Sequence, residues 1–243
     1  VDQYENSWLF DLVHGERDND ARVAFYRRSI ERFGEPVLEL GSGAGNQLVA
    51  RSRSLLDFEG LDEFEGGPAT DEADGVSTDL LPGDMRTFQI EQKFRLIFAA
   101  GNSMQHLLTP HDVASCFHSV RKHLFPFGRF IAEVFNPSLP KLCRPEGERH
   151  FVGEYRTADG WIVVTETVRY DAATQVDHVD WHYRNQYAKD EQTVSFKMRQ
   201  FFPQEFDAVF AANGFRIEEK FGDFNEAPFT SLSPKQIVIA SPA

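Results

Sequence analysis

An α/β fold is predicted for this chain: a mainly parallel sheet with helices on both faces, and an antiparallel β insert after the fifth strand. Three features predict it. Short apolar runs alternate with segments of helical periodicity as far as Val134, which implies right-handed crossovers between parallel strands. The stretch Pro36-Val37-Leu38-Glu39-Leu40-Gly41-Ser42-Gly43-Ala44-Gly45 packs three glycines into five positions directly behind the first apolar run. From about residue 148 to 200 the texture changes to β-rich runs separated by turn signals.

Each element has its own signal. Residues 18 to 33 place Val23, Tyr26, Ile30 and Phe33 at helical spacing, and Gly34 ends the run. Val37 to Leu40 reads as a short buried strand, 45 to 55 as a helix, and Phe58 to Leu61 as a second strand ending at Asp62. Phe94 to Ala100 is another apolar strand. Residues 111 to 124 carry Val113, Phe117, Val120 and Leu124 on one helical face, and Arg129 to Val134 forms the next strand. The runs GWIVVTETVRY, QVDHVDWHYRNQY and TVSFKMRQFF make the insert, broken by Asp-Gly, Asp-Ala-Ala and Lys-Asp-Glu. Residues 203 to 213 are a helix that starts at Pro203 and stops at Gly214; Phe215 to Glu219 and Gln236 to Ala240 resume and finish the parallel core. The expected organisation is one domain over 1 to 243, with residues 1 to 33 as an N-terminal helical lid region and 148 to 200 as a substrate cover.

Composition narrows the function. With 243 residues, 41% hydrophobic and 13% aromatic, the chain can bury one substantial core. The net charge of -13 opposes a phosphate backbone, and runs of Lys and Arg are no longer than a pair such as Arg27-Arg28, so nucleic acid is not an expected partner. No stretch of about 18 uncharged apolar residues occurs, so no membrane span is expected. The first residues lack the features of a signal peptide, and a cytoplasmic location is expected. Cys116 and Cys143 have no metal-ligand spacing and are expected as buried free thiols, and no metal site is expected.

In an open α/β sheet the loop after the first strand faces the ligand crevice, and glycine lets backbone approach where a Cβ would collide. A ligand is therefore expected against Gly41, Gly43 and Gly45. The spacing is neither that of a pyrophosphate-binding GxGxxG nor that of a phosphate loop. Asp62, about twenty residues further on, can accept hydrogen bonds from two ribose hydroxyls, so an adenosine-containing ligand fits.

Further motifs follow in order: Gly60-Leu61-Asp62, Gly83-Asp84-Met85-Arg86, Gly101-Asn102-Ser103-Met104-Gln105-His106-Leu107, and Phe130 to Pro137. Together with Glu39 to Gly45 they resemble the class I S-adenosylmethionine-dependent methyltransferases. The likeness is to the small-molecule branch that includes sugar-amine and glycine-type N-methyltransferases, and it runs almost end to end. It implies a Rossmann-like sheet, S-adenosyl-L-methionine as cofactor and a small-molecule acceptor, with an amine nitrogen as the expected target and a homodimer as a candidate assembly. By this resemblance Glu39 orders the glycine loop and the methionine end, Asp62 binds ribose, Asp84 and Met85 hold the adenine, and Asn102, Ser103 and His106 face the transferred methyl. Tyr4, Trp8 and Phe10 resemble the family's aromatic lid over cofactor and substrate, the competing reading being a hydrophobic staple against the sheet; Arg17 reads either as a partner of the cofactor carboxylate or as a solvated surface arginine. The chain departs from the family pattern at Glu63-Phe64-Glu65-Gly66-Gly67-Pro68, at Arg95 and at Phe127.

Methyl transfer from a sulfonium mainly needs an aligned, unprotonated nucleophile and a dry site. His106 is the candidate catalytic proton acceptor, the competing reading being that it packs its loop. In the insert, His178, His182 and Arg184 share one face of a strand while Trp181 and Tyr183 share the other. The first group reads either as a substrate-binding wall or as the polar side of an ordinary amphipathic strand. Two other classes stay open: a protein of this fold that does not methylate, serving as a cyclase, binding or regulatory protein, and an NAD-dependent oxidoreductase.

Overall fold

The computed structural model describes residues 12–13, 19–42, 58–62, 79–157, 160–187 and 191–243, of which the side chains of Asn19, Phe58, Glu59, Gly60, Asp62, Asp79 and Leu80 are excepted. In chain order the elements are α1 (Asn19–Phe33), β1 (Val37–Leu40), β2 (Phe58–Asp62), β3 (Asp79–Pro82), β4 (Phe94–Ala99), α2 (Pro110–His123), β5 (Leu124–Phe135), α3 (Leu139–Leu142), β6 (His150–Thr157), β7 (Gly160–Asp171), β8 (Val176–Asn185), β9 (Gln192–Arg199), α4 (Pro203–Ala212), β10 (Phe215–Phe221) and β11 (Lys235–Pro242). They divide into two compact units, one of residues 18–136 with 201–243, the other of residues 1–17 with 137–200.

The first unit is built on a seven-stranded sheet of order β10-β11-β5-β4-β1-β2-β3. Strands β1 to β5 are parallel to one another, while β11 runs antiparallel to both β5 and β10. The closing pair therefore corrects the expectation of a purely parallel finish: six strands point one way and β11 points back. Strand order reverses between β1 and β4, which puts the ligand crevice of such sheets above their carboxyl ends.

Helices cover both faces, as expected. On one, Phe117 of α2 and Phe206 and Phe210 of α4 pack with Leu38, Leu40, Ile97, Ala99 and Phe130. On the other, Phe25, Tyr26 and Ile30 of α1 pack with Val37, Leu96, Phe98, Ile131 and Ile239. Successive residues from Leu96 to Ala99 of β4 thus serve opposite cores, which is why this part of the strand is apolar throughout rather than alternating. Helix α2 starts at a capping box, with Asp112 N–H donating to Thr109 Oγ1 (3.1 Å) and Thr109 N–H to Asp112 Oδ2 (3.1 Å). Its last turn carries Arg121, Lys122 and His123, which suits the helix dipole.

Two elements of this unit differ from the sequence reading. Strand β3 was not expected, since it is only four residues long, ends in Pro82 and lies at the sheet edge, where a missing N–H is tolerated. Strand β5 begins at Leu124 rather than Arg129. The helix expected at 45 to 55 lies outside the described residues.

The second unit holds a four-stranded antiparallel sheet of order β6-β7-β8-β9. Three of its strands match the expected runs; β6 and the short α3 carried too little alternation to be read. Tyr155, Ile162, Val164, Val179, Trp181, Tyr183, Val194 and Phe196 form its apolar cluster, and Val13 packs into it. Both cysteines are free, but only Cys116 is buried, where desolvation pushes its thiol up to about 12; Cys143 is exposed, contrary to expectation. Among the described residues no helix is long and apolar enough to cross a membrane, and no group of three His, Cys, Asp or Glu could hold a metal ion.

The chain leaves the first unit at Asn136 and re-enters it at Phe201. Asn136 N–H donates to Pro234 O (2.9 Å), its side-chain amide to Ser233 O (2.9 Å), and Gln236 Nε2 to Phe201 O (2.7 Å).

Phe117 meets the rings of Phe130, Phe210 and Phe215 at 5.4, 4.9 and 5.5 Å and is fully buried, whereas Phe127 is 91% exposed. Phe117→Ala is expected to cost about 3–5 kcal/mol in urea unfolding. Phe127→Ala is expected to stay within about 0.5 kcal/mol of the parent in the same measurement.

Candidate functional site

Three loops of the first unit, after β1, β3 and β4, converge at the carboxyl ends of its parallel strands. Gly41, the first residue after β1, has φ +71° and donates its N–H to Leu61 O of β2 (2.8 Å). A Cβ built on it would lie 2.5 Å from Ser103 Oγ and 3.4 Å from Met85 Cε. Ser103 in turn donates its one hydroxyl proton to Ala100 O (2.5 Å), with Gly41 O 3.3 Å from the same oxygen. What lies against Gly41 is therefore the loop after β4, with the loop after β3 beside it. A ligand is expected against this backbone from the sequence; at Gly41 the side on which a Cβ would stand is taken by Ser103 and Met85, and Gly43 and Gly45 lie outside the described residues.

The loop after β3 is fixed from outside the site. Arg86 grips Asp84 through its backbone N–H (2.8 Å) and Nε (2.9 and 2.8 Å), and its Nη1 reaches Asp112 (3.3 Å) at the start of α2. Thr109 first and Arg86 with it hold the Asp112 carboxyl below its ordinary range, while burial works against them. Ser119 donates to Arg86 O (2.8 Å). His123 accepts Ile90 N–H at Nε2 (3.1 Å), so its proton sits on Nδ1, 2.7 Å from Ser119 O. Met85, partly buried against the core, is thereby presented beside Gly41.

The loop after β4 has the most unusual backbone. Gly101 and Asn102 both have positive φ, 63° and 64°, and the 3-10 turn Ser103–His106 follows. Asn102 and Ser103 are buried and His106, the last residue of the turn, is half-buried. Gln105, fully buried, accepts Phe135 N–H at Oε1 (3.0 Å), which ties the turn to the end of β5. Beneath it Glu133, 0% exposed, accepts from Gly101 N–H (3.0 Å) and Tyr26 OH (2.9 Å), and Lys235 Nζ lies 3.5 Å from it. Desolvation, then the Glu133 charge and hydrogen bond, push the Tyr26 phenol well above its ordinary range. Glu39 is buried in β1, and Asp62 ends β2 opposite Pro82.

Sequence reasoning missed Glu133, Tyr26 and Lys235. The signal was present as an acidic residue inside the apolar run Phe130-Ile131-Ala132-Glu133-Val134-Phe135, since a carboxylate there has to be paired. Tyr4, Trp8, Phe10 and Arg17 lie outside the described residues, as do Glu63 to Pro68, and the Asp62 side chain is not described.

In the second unit β8 is continuous and carries His178, His182 and Arg184 on one face. His182 is held at both nitrogens, Nε2 by Thr167 Oγ1 and Nδ1 by Thr193 Oγ1, each at 3.1 Å, with Glu191 3.4 Å away. Burial and then the Arg149 guanidinium lower its pKa; burial, Arg169 and Lys197 do the same to His178. Arg184 is exposed. On the opposite face Trp181 Nε1 donates to Glu166 (3.4 Å), and Asp177, 8% exposed, accepts from Gln200 Nε2 (2.7 Å). Desolvation pushes the Asp177 carboxyl up to about 6.

No protein-family model matches the chain, and no curated protein matches it in sequence. Solved structures do. A S-adenosylmethionine-dependent methyltransferase from Clostridium acetobutylicum superposes with a TM-score of 0.78 at 14% identity, covering 98% of each chain. The CcbJ methyltransferase from Streptomyces caelestis gives 0.78 at 21% identity over 95% of each chain. The sugar N-methyltransferase KedS8 from Streptoalloteichus gives 0.74 at 16% identity over 96% of this chain and 91% of that one. The chain has the fold of class I S-adenosylmethionine-dependent methyltransferases.

Gly41→Ala places a methyl group against Ser103 and forces an L-residue into left-handed backbone, the latter alone costing about 1–2 kcal/mol. Its denaturation midpoint should fall, and Ser103→Gly in the same chain should recover the steric part only. Asp177 binds a proton more tightly folded than unfolded, so the native state holds more protons between its ordinary pKa of 3.8 and about 6. Stability is therefore lost as pH rises through that window, by on the order of 2 kcal/mol. Thermal scans from pH 4 to pH 8 should show that loss in the parent and not in Asp177→Asn.

Proposed function

We propose that the chain is an S-adenosyl-L-methionine-dependent methyltransferase acting in the cytoplasm on a small-molecule acceptor, at an amine nitrogen. The observation that carries this reading is the meeting of Gly41, Met85 and Ser103, three loops joined at the point where strand order reverses. Its chemistry fits the cofactor. Glu39 and Asp62 stand at the carboxyl ends of adjacent strands, acidic groups suited to a cationic amino acid and a ribose diol. Met85 adds a polarisable apolar wall of the kind that covers an adenine face. Bound there, S-adenosylmethionine supplies a methyl group on a positively charged sulfur.

The chain's part is then alignment, exclusion of water and removal of one proton from the acceptor. Asn102 and Ser103 are the proposed cofactor contacts of the loop after β4, with Gly43, Gly45, Tyr4 and Arg17 completing the set, and Asp84 acts through Arg86 by fixing Met85. His106, at the end of the turn, is the proposed proton acceptor. Acceptor recognition falls to Trp8 and to the polar face of β8. There His178 and Arg184 offer groups to a ligand, while His182, engaged by two threonines, serves as a fixed wall. The likeness to a sugar N-methyltransferase favours an amine over an oxygen or carbon acceptor.

Thermal scanning and calorimetry with S-adenosylhomocysteine test the assignment. The ligand should raise the melting temperature by mass action. Asp62→Ala should weaken binding by about 1–3 kcal/mol, because it leaves ribose hydroxyls without an acceptor in a desolvated cleft. A shift produced by NAD in place of the homocysteine ligand would move the chain to the oxidoreductases; no shift with either would favour a methyltransferase fold put to non-methylating use.

A further inference from the structure

We propose that Lys235 is a positioning residue for the loop after β4: it holds Asn102 in left-handed backbone and so sets the presentation of Ser103 and His106. That the loop serves methyl transfer rests on the function proposed above; that Lys235 holds it rests on geometry alone.

Two consecutive residues with positive φ open the loop, and only the first is glycine. Glycine adopts that conformation freely, whereas asparagine enters it at a cost that its surroundings must offset. Asn102 precedes the 3-10 turn but makes no side-chain capping hydrogen bond to it. Its side-chain oxygen instead accepts from Lys235 Nζ at 3.4 Å. The same ammonium lies 3.5 Å from Glu133, the carboxylate that accepts Gly101 N–H at 3.0 Å. One cation thus grips Asn102 directly and Gly101 through Glu133.

The lysine is itself held. Its side chain is 13% exposed, and its ammonium sits 4.7 Å from the Phe135 ring centre and 5.4 Å from that of Phe224. A lysine boxed between two aromatic faces and a buried carboxylate has lost the rotamer freedom it would keep at a surface. Its place in the sheet explains its reach. Because β11 runs antiparallel to β5, with Lys235 opposite Phe135, the first residue of β11 stands at the carboxyl end of the parallel strands, beside the loop.

The test uses the full chain and a double-mutant cycle between Lys235→Met and Asn102→Gly. Hydrogen exchange at residues 101 to 106 of the unliganded protein should rise about tenfold or more in Lys235→Met. Affinity for S-adenosylhomocysteine should fall by about tenfold as well. In the Asn102→Gly background, where the left-handed conformation needs no holding, the same lysine substitution should change both quantities by less than about threefold. Tyr26→Phe, which removes a Glu133 partner that does not touch Asn102, should lower stability without this coupling. Lys235→Ala, which likewise removes the donor to Asn102, replaces Lys235→Met in both backgrounds if the methionine variant does not fold. Equal effects of the lysine substitution in the two backgrounds, or unchanged exchange at residues 101 to 106, would overturn the proposal. If S-adenosylhomocysteine fails to bind the parent chain, the methyltransferase reading falls and the exchange data alone decide the role of Lys235.

Discussion

A carboxylate with no solvent exposure has to find its donors inside the protein, and Glu133 finds them on three separate segments. Tyr26 comes from the helix before β1, Gly101 from the loop after β4 and Lys235 from the first residue of β11. Leaving such a group half-satisfied is costly, so the three segments are constrained together. The consequence is local order where loops would otherwise be loose. The turn that presents Ser103 and His106 is fixed from below by Glu133 and from the side by Gln105, while Gly41 closes on it from the neighbouring strand.

The loop after β3 shows the same logic with different chemistry. Asp112 caps its own helix and also reaches Arg86, and Ser119 and His123 add two bonds from the same helix face. Two of the three loops at the site are thus referenced to core elements rather than to each other. Gly41 and Ser103 supply the direct contact between loops, and its tightness is what excludes any side chain at Gly41.

The central architecture was legible because its signals are local. Alternation of apolar runs with helical periodicity located β1, β2, β4, α1, α2 and α4, and the capping and stop residues set several ends to within a residue or two. Elements with weak local signals were not legible: β3 ends in proline, β6 has little alternation, and the reversed direction of β11 depends on which strand it pairs with. The motif loops could be located, but not what their side chains do. Asp84 reads as a ligand contact from its motif; its hydrogen bonds to Arg86, two residues away, are visible only in the structure. Asn102 reads as a polar residue facing the reaction, whereas its conformation and its tie to Lys235, 133 positions distant, are tertiary facts. The cysteines make the same point from the other side, since burial separates Cys116 from Cys143 although neither has a distinguishing spacing.

The exit from the first unit at Asn136 and the return to it at Phe201 are pinned to the same few residues. Asn136 bonds to Ser233 and Pro234, and Phe201 to Gln236, so exit and return are anchored on either side of Lys235. Whatever lies between them begins and ends on a prefabricated base. Because the entropy of closing a chain segment grows only slowly with its length, about 0.6 kcal/mol per doubling, the base tolerates segments of very different size. The antiparallel sheet is in this sense a cassette. Its strands start and finish on bonds made within the seven-stranded platform, so a change of length between them leaves the register of that platform untouched.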